Sequence, residues 1–335
     1  MITIGIIGIN GLVGKAIIES LEMFGYDDCD KYVFYFYGTV DNIIKFNNFD
    51  KQVRKYDHKY LHFLDYCILA INNESAKEIY DYSITNKLKL IIIDNSSEFR
   101  LNSSVPLCIP EINSNKININ NLPYMISNPN CVTTILCMCL KPLLSLANIK
   151  KIIVSTYQAA SGAGYRGLIE LETQTKEISS DKNLTKDFWK KQYVYNVFSH
   201  NSKINPDNLY NEEELKLVNE TKKILEINPK ITATCVRVST LRSHCISAHI
   251  EFDRSVQKDD IINKLTTFSG IKILDNWLEN EFPEPIISAN KTDIYVGRIR
   301  SDIDDDTCWN FFISGDQLLK GAGYNSVQIL DYLLK

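Results

Sequence analysis

The chain opens on "ITIGIIGI", residues 2–9, a short apolar run rich in β-branched residues. A segment that is apolar along its whole length buries both faces, as a strand inside a parallel sheet does. "NGLVG" then turns the chain into "KAIIESLEMF", where apolar residues recur at helical spacing. Gly8, Gly11 and Gly14 span this turn as G-x-x-G-x-x-G, a variant of the usual G-x-G-x-x-G. A plain strand-to-helix turn would also accept these glycines. Their position between strand and helix favours a dinucleotide site, because glycine lets the backbone approach a pyrophosphate and the helix N-terminus supplies N–H donors.

The same alternation continues. "KYVFYFYG", "YCILAIN" and "LKLIIIDNSS" read as further strands, with the helix-like "ESAKEIYDYSITN" between the last two. Strands alternating with helices predict a doubly wound α/β sheet with a nucleotide at its switch point. After about residue 130 the texture changes. "KKIIVSTYQ", "ATCVRVST", "CISAHIEFD" and "IYVGRIRSD" read as strands of a mixed sheet, while "LIELETQTKEI" and "EEELKLVNETKKIL" read as helices. The stretch 179–208 is the least regular and reads as a long surface excursion. "SVQILDYLLK" closes the chain as an amphipathic helix. At 335 residues the chain exceeds one typical core and predicts two domains.

A net charge of −4 argues against binding driven by nucleic-acid phosphates. No run of about 18 apolar residues exists, so no membrane span is expected. The opening run lacks a basic flank and a cleavage site, and reads as a strand rather than a signal peptide. The nine cysteines form no compact framework, which favours free thiols in a reducing compartment. Cys137-x-Cys139 has no nearby histidine and reads as a buried apolar pair rather than a metal site.

One cysteine stands apart. "SNPNCVTT" places Cys131 after the turn Asn128-Pro129-Asn130 and before a helical pattern. A thiol at a helix N-terminus feels the dipole and accessible N–H groups, which favour the thiolate. A nucleophilic thiol needs a proton-transfer partner. His58, His62, His200, His244 and His249 are the candidates, and the residues alone do not rank them.

"DNSSEFR" at 94–100, "SNPNC" ending at Cys131, "STYQAASGAG" at 155–164, "LVNETKKIL" at 217–225, "CVRVSTLRSH" at 235–244, "YVGRIR" at 295–300 and "KGAGYNSVQI" at 320–329 occur together and in order. Together they resemble bacterial aspartate-semialdehyde dehydrogenases over nearly the whole chain. The resemblance implies an N-terminal Rossmann-type dinucleotide-binding domain, residues 1–130 plus about 316–335. Residues 131–315 would form an α+β catalytic and dimerisation domain with a mixed sheet. It implies NADPH-dependent reduction of L-aspartyl 4-phosphate to the semialdehyde and phosphate through a Cys131 thioester, on the route to lysine, threonine and methionine. It also implies a cytoplasmic homodimer whose partners are the small substrate and phosphate, with no metal, nucleic acid or membrane.

Carried over position by position, Cys131 matches the nucleophile, Gln158 the orienting glutamine and His244 the acid–base histidine. Glu220 and Arg237 match the residues that hold the substrate's amino and carboxylate groups. Arg100, Asn130 and Lys223 match the phosphate-binding set. A planar guanidinium suits a carboxylate through two parallel hydrogen bonds. Without the resemblance, Glu220 and Lys223, three apart on a helix, would read as an ordinary ion pair. The cofactor set is Gly8, Asn10, Gly11, Leu12, Val13, Gly14, Thr39, Ser161, Gly162 and Asn325.

The chain departs from the pattern in places. Gly38 stands where NADP-using relatives place an arginine for the 2′-phosphate, and no acidic residue ends that strand to select NAD. NADP is therefore expected, with NAD also accepted. Asn72 and Asn73 replace a loop that is commonly glycine-rich, and Ser239 replaces a usual proline. Two rival readings are an N-acetyl-gamma-glutamyl-phosphate reductase, which favours glycine where Asn130 stands, and a non-catalytic dinucleotide-binding relative. Gln158, "VNETKKIL" and the joint presence of Cys131 and His244 weigh against them.

Overall fold

In the computed structural model, which describes residues Met1–Lys335, the opening run becomes β1 (Ile2–Ile7). It is followed by α1 (Leu12–Met23), β2 (Tyr32–Gly38), β3 (Asn42–Phe46), β4 (Phe49–Lys55), β5 (Tyr66–Leu69), α2 (Asn73–Thr85), β6 (Ile91–Asp94), the single turn α3 (Pro110–Asn113) and β7 (Tyr124–Ser127). These strands form one sheet in the order β3-β4-β2-β1-β5-β6-β7. Only the β3–β4 pair is antiparallel. β1 lies at its centre, which explains its apolar character on both faces. Ile4 and Ile6 pack with Ile17 and Leu21 of α1, while Ile7 packs on the other side with Leu69, Ile79 and Ile92.

The β3–β4 hairpin was not legible in the sequence. Asn47 and Asn48 turn it with φ of 49° and 65°, values that asparagine tolerates better than most residues.

The second sheet follows α4 (Cys131–Leu143). Its elements are β8 (Ile149–Gln158), α5 (Gly164–Ser179), β9 (Val197–Ser199), α6 (Glu212–Leu225), β10 (Lys230–Val238), β11 (His244–Phe252), α7 (Lys258–Thr266), β12 (Ile271–Ile273), the single turn α8 (Pro285–Ser288), β13 (Ile294–Ser301) and β14 (Cys308–Gly315). The strand order is β12-β13-β14-β11-β8-β10-β9. β8 and β10 are parallel, whereas β11 runs antiparallel to β8 and β14. This is the mixed sheet expected.

The chain then enters a π-helical turn, Leu319–Gly323, and ends in α9 (Tyr324–Leu334). Val327, Ile329 and Leu330 of α9 join the core of the first sheet beside Ile4 and Ile17. The chain divides into Met1–Asn130 with Ala322–Lys335, and Cys131–Gly321. The second crossing thus falls beyond the boundary near 316 expected from sequence. Local bonds explain the shift: Arg242 Nε donates to Asp316 Oδ2 at 2.6 Å and the Ser243 N–H donates to Gln317 Oε1 at 2.8 Å, which keeps this stretch in the second unit. No helix is long and apolar enough to cross a membrane.

The stretch 179–208 differs most from its expectation. It contributes the edge strand β9, and Trp189, Tyr193 and Val194 are buried with Ala160 and Leu171. Polar side chains of α5 hold it down. Glu170 accepts the Phe188 and Trp189 N–H groups, and Gln174 Oε1 accepts those of Tyr193 and Val194.

Candidate active site

In the first unit the three glycines build a cradle. Gly8 ends β1 at φ 94°, and a Cβ there would collide with the Ala70 carbonyl. A Cβ on Gly14 would come within 2.5 Å of the Gly8 carbonyl, whereas Gly11 meets nothing nearer than 3.5 Å. Gly8 and Gly14 therefore allow strand and helix to close together, and Gly11 leaves room at the helix mouth. Gly11 is the N-cap of α1, where no side chain caps the helix and no acidic residue occupies the first turn. That N-terminus suits a phosphate. Leu12 and Val13 form the first turn, with Val13 packed on the core.

A cavity of about 380 Å³ adjoins this cradle, lined by Gly8, Asn10, Gly11, Gly38, Thr39 and residues of the β5–α2 segment. These residues fit a dinucleotide. The Asn10 side chain fills the space beside Gly38. Asn10 Oδ1 accepts the Thr39 N–H at 3.1 Å, and a Cβ on residue 38 would strike that oxygen. No lysine or arginine lines the cavity; His58 and Glu78 are its ionisable groups besides Tyr56. Lys45 sits on the hairpin, paired with Asp50 at 2.6 Å. Asn72 accepts the Ser75 N–H at 2.8 Å and caps α2.

Arg100 and Asn130 also belong to the first unit. Arg100 is buried, and its Nε and Nη2 donate to the carbonyls of Asn128 and Asn95, each at 2.9 Å. Asn325 is fully buried in the first unit and is not among the residues that line this cavity. Its amide donates to the Cys108 carbonyl at 2.9 Å and to Asn128 Oδ1 at 2.6 Å. Both Arg100 and Asn325 thereby brace the Asn128-Pro129-Asn130 turn that leads to Cys131.

In the second unit Cys131 is the first residue of α4 and is half-buried. A Cβ on Gly321 would lie 2.8 Å from its own Cβ, so a glycine is required beside it. Burial keeps the other thiols of this region protonated: Cys139 and Cys235 are pushed up to about 12 and Cys245 to about 11.

Sheet topology gathers the next three residues. Gln158 ends β8 in register with Arg237 on the parallel β10, and the antiparallel β11 begins at His244 on the other side of β8. All three lie at one end of the sheet. Thr156 Oγ1 donates to Gln158 Oε1 and Gln158 Nε2 donates to Glu213 Oε1, both at 3.1 Å, which fixes the amide plane. His244 is fully buried. Its Nδ1 accepts the Ala159 N–H at 3.0 Å, and its Nε2 has no partner. Burial, and then the positive charge of Arg237, push its pKa down to about 3. A Cβ on Gly162 would approach His244 Nε2 at 3.0 Å and Arg237 Nη1 at 3.2 Å, so Gly162 keeps that corner open. Ser161 Oγ donates to the Leu241 carbonyl at 2.6 Å and receives Gln317 Nε2.

Glu220 is buried on α6 and Lys223 is half-buried one turn on. Burial pushes the Lys223 pKa down and Glu220 opposes this. Sequence reasoning missed Glu213, two turns before Glu220, which touches Gln158. Its place in the acidic first turn of a helix capped by Asn211 gives it an ordinary structural appearance. Trp189 and Asn201 were missed too. No cluster of His, Cys, Asp or Glu is arranged to hold a metal ion.

Residues 3–119 match the semialdehyde dehydrogenase NAD binding domain and residues 140–320 match the semialdehyde dehydrogenase dimerisation domain. The chain is 34% identical over 334 residues to an aspartate-semialdehyde dehydrogenase of Prochlorococcus marinus, covering 99% of this chain and 96% of that protein. It is 33% identical to the enzyme of that name from a Synechocystis species, covering 100% and 98%. Among solved structures, aspartate semialdehyde dehydrogenase II of Vibrio cholerae complexed with ASA superposes with a TM-score of 0.92 at 27% identity, covering 100% of this chain and 98% of that one.

Proposed function

Because the chain belongs to the aspartate-semialdehyde dehydrogenase family, we infer that its first unit holds NADP(H) and that its second carries out the acyl-transfer chemistry and dimerises. The reaction is the reversible NADPH-dependent reductive dephosphorylation of L-aspartyl 4-phosphate to the semialdehyde and phosphate. The observation that carries the site assignment is the convergence of Gln158, Arg237 and His244 at one end of the sheet, with an unpartnered, fully buried His244 Nε2.

Gly8, Asn10, Gly11, Leu12, Val13, Gly14 and Thr39 would hold the dinucleotide, which when bound would supply the hydride chemistry. In the oxidative direction the Cys131 thiolate forms a bond to the aldehyde carbon. The helix N-terminus and the Arg237 charge favour negative charge on that sulfur. As the carbonyl oxygen gains charge, His244 Nε2–H donates a hydrogen bond to it, and Gln158 holds the acyl group in line. After hydride loss the carbon is a thioester. Phosphate oxygen attacks it, the C–S bond breaks, and the thiolate is regenerated. Arg237 holds the substrate carboxylate, Glu220 its ammonium and Lys223 the phosphate, and the family resemblance gives Arg100 and Asn130 of the first unit a phosphate role as well. Ser161 and Gly162 shape the corner beside His244.

Homodimerisation is supported by the outer face of the second sheet, which exposes Ile153 and Tyr157. It is also supported by the dimerisation-domain match. All nine thiols, Cys131 included, are free, which suits a reducing cytoplasm.

The test is phosphate-dependent NADPH formation from aspartate semialdehyde. Cys131→Ser should lose at least about a thousandfold in rate while keeping cofactor affinity by fluorescence titration. Cys137→Ser, altering a buried thiol, should keep most activity. Equal losses in the two variants would overturn the assignment. Turnover of N-acetyl-glutamate semialdehyde in preference would favour the rival reductase.

A further inference from the structure

Arg237 is buried, and its side chain is held by specific contacts. Its Nη1 donates to the Ala159 carbonyl at 3.0 Å and its Nε to Asn201 Oδ1 at 3.2 Å. The guanidinium carbon lies 5.5 Å from the centroid of the Trp189 ring. Two of its five N–H groups are thus spent on holding it, and the aromatic ring covers it. Nη2 takes part in none of these bonds.

Trp189 is itself fixed on every side. It is 4% exposed, its Nε1 donates to the Gly167 carbonyl at 2.9 Å, and its backbone N–H reaches Glu170 Oε1 at 2.9 Å. The Tyr193 ring meets it edge-on at 4.5 Å, and Phe188 does so at 4.9 Å. Gly167 makes the seat possible, because a Cβ there would come within 2.8 Å of the Trp189 ring. Asn201 follows β9, the edge strand paired with β10 on which Arg237 stands. The Trp189 ring and the Asn201 amide therefore both come from the stretch 185–201, which the catalytic scheme does not otherwise use.

We propose that this stretch is a specificity wall that orients the Arg237 guanidinium toward a substrate α-carboxylate, with Trp189 and Asn201 as positioning residues. The proposal rests on the reading that Arg237 holds that carboxylate. A flexible arginine would have to surrender side-chain freedom on binding each substrate. A guanidinium already held over the indole and tethered at Nε and Nη1 has surrendered it on folding. The wall thereby selects amino-acid semialdehydes over aldehydes that lack the carboxylate.

The experiment compares aspartate semialdehyde with 3-aminopropanal, its analogue without the α-carboxylate, in the full-length enzyme. The wild type should prefer the former strongly in kcat/KM. Trp189→Leu should raise KM for aspartate semialdehyde roughly tenfold, the scale of a desolvated cation–π contact, with kcat changed less than about twofold. It should leave kcat/KM for 3-aminopropanal unchanged. Trp189→Phe should restore most of the loss. Asn201→Ala changes an exposed residue, so it tests the same point if the indole variant fails to fold, and should raise KM severalfold. Equal losses on both substrates, or no loss on either, would overturn the wall. A wild-type enzyme that does not distinguish the substrates would instead overturn the Arg237 reading on which the wall depends.

Discussion

His244 can be tested by splitting its two nitrogens. The Ala159 N–H occupies Nδ1 at 3.0 Å, so the neutral ring must carry its proton on Nε2 and can only donate from there. With burial and the Arg237 charge pushing its pKa down to about 3, the ring is neutral at pH 7. The ring then serves as a neutral hydrogen-bond donor to the developing oxyanion, and no ionisation of it should appear in the rate profile between pH 6 and 8. Asparagine places an oxygen near the Nδ1 position, and glutamine places an N–H near the Nε2 position. His244→Asn should keep the Ala159 bond and lose the donor, which costs about a hundredfold to a thousandfold in kcat. His244→Gln should stay within roughly tenfold of wild-type kcat. It strands the buried Ala159 N–H, at a stability cost of about 1–3 kcal/mol. The two variants should therefore rank in opposite order for kcat, read by NADPH absorbance, and for Tm, read by calorimetry. Equal inactivity of both, with a wild-type limb near pH 6.5 that disappears in them, would refute the neutral-donor reasoning and restore an acid–base role.

Arg237→Lys keeps the charge but loses the planar fork, and should raise the KM for semialdehyde far more than that for phosphate. Lys223→Ala should do the reverse, and parallel changes in both constants would show that the two anions share one site. The cavity at Gly38 holds no lysine or arginine, so the ratio of catalytic efficiencies for NADP over NAD should stay below about a thousandfold. A larger ratio, measured under identical conditions, would place a cation there in the bound state.

What the sequence revealed was local. The Gly8–Gly14 spacing and the Cys131 turn each need only a few consecutive residues to be read, and the structure uses them as a strand-to-helix cradle and a helix N-terminus. Gly38 was legible as a missing arginine, but the Asn10 amide beside it was not, since Asn10 lies a strand and a helix away. Glu213 looked like one more acid in a helical first turn until β8 brought Gln158 against it from 55 residues earlier. The stretch 179–208 seemed irregular because its partners are buried carboxylate and amide groups on α5, a pattern that carries no period. Asn325 sits in a matching motif, but its amide bonds to Cys108 and Asn128 span about two hundred residues and no local pattern announces them.

Nine free thiols divide unevenly between the surface and the interior: seven are buried, Cys29 is exposed and Cys131 is half-buried. A mild alkylating reagent should therefore find only Cys29 and Cys131 while the fold is intact, and substrate should shield one of those two. Unfolding would release the remaining seven together. Counting modified cysteines by intact mass thus reports active-site occupancy and global opening in a single spectrum. It also means that oxidative damage to the folded enzyme is confined to Cys29 and to its own nucleophile.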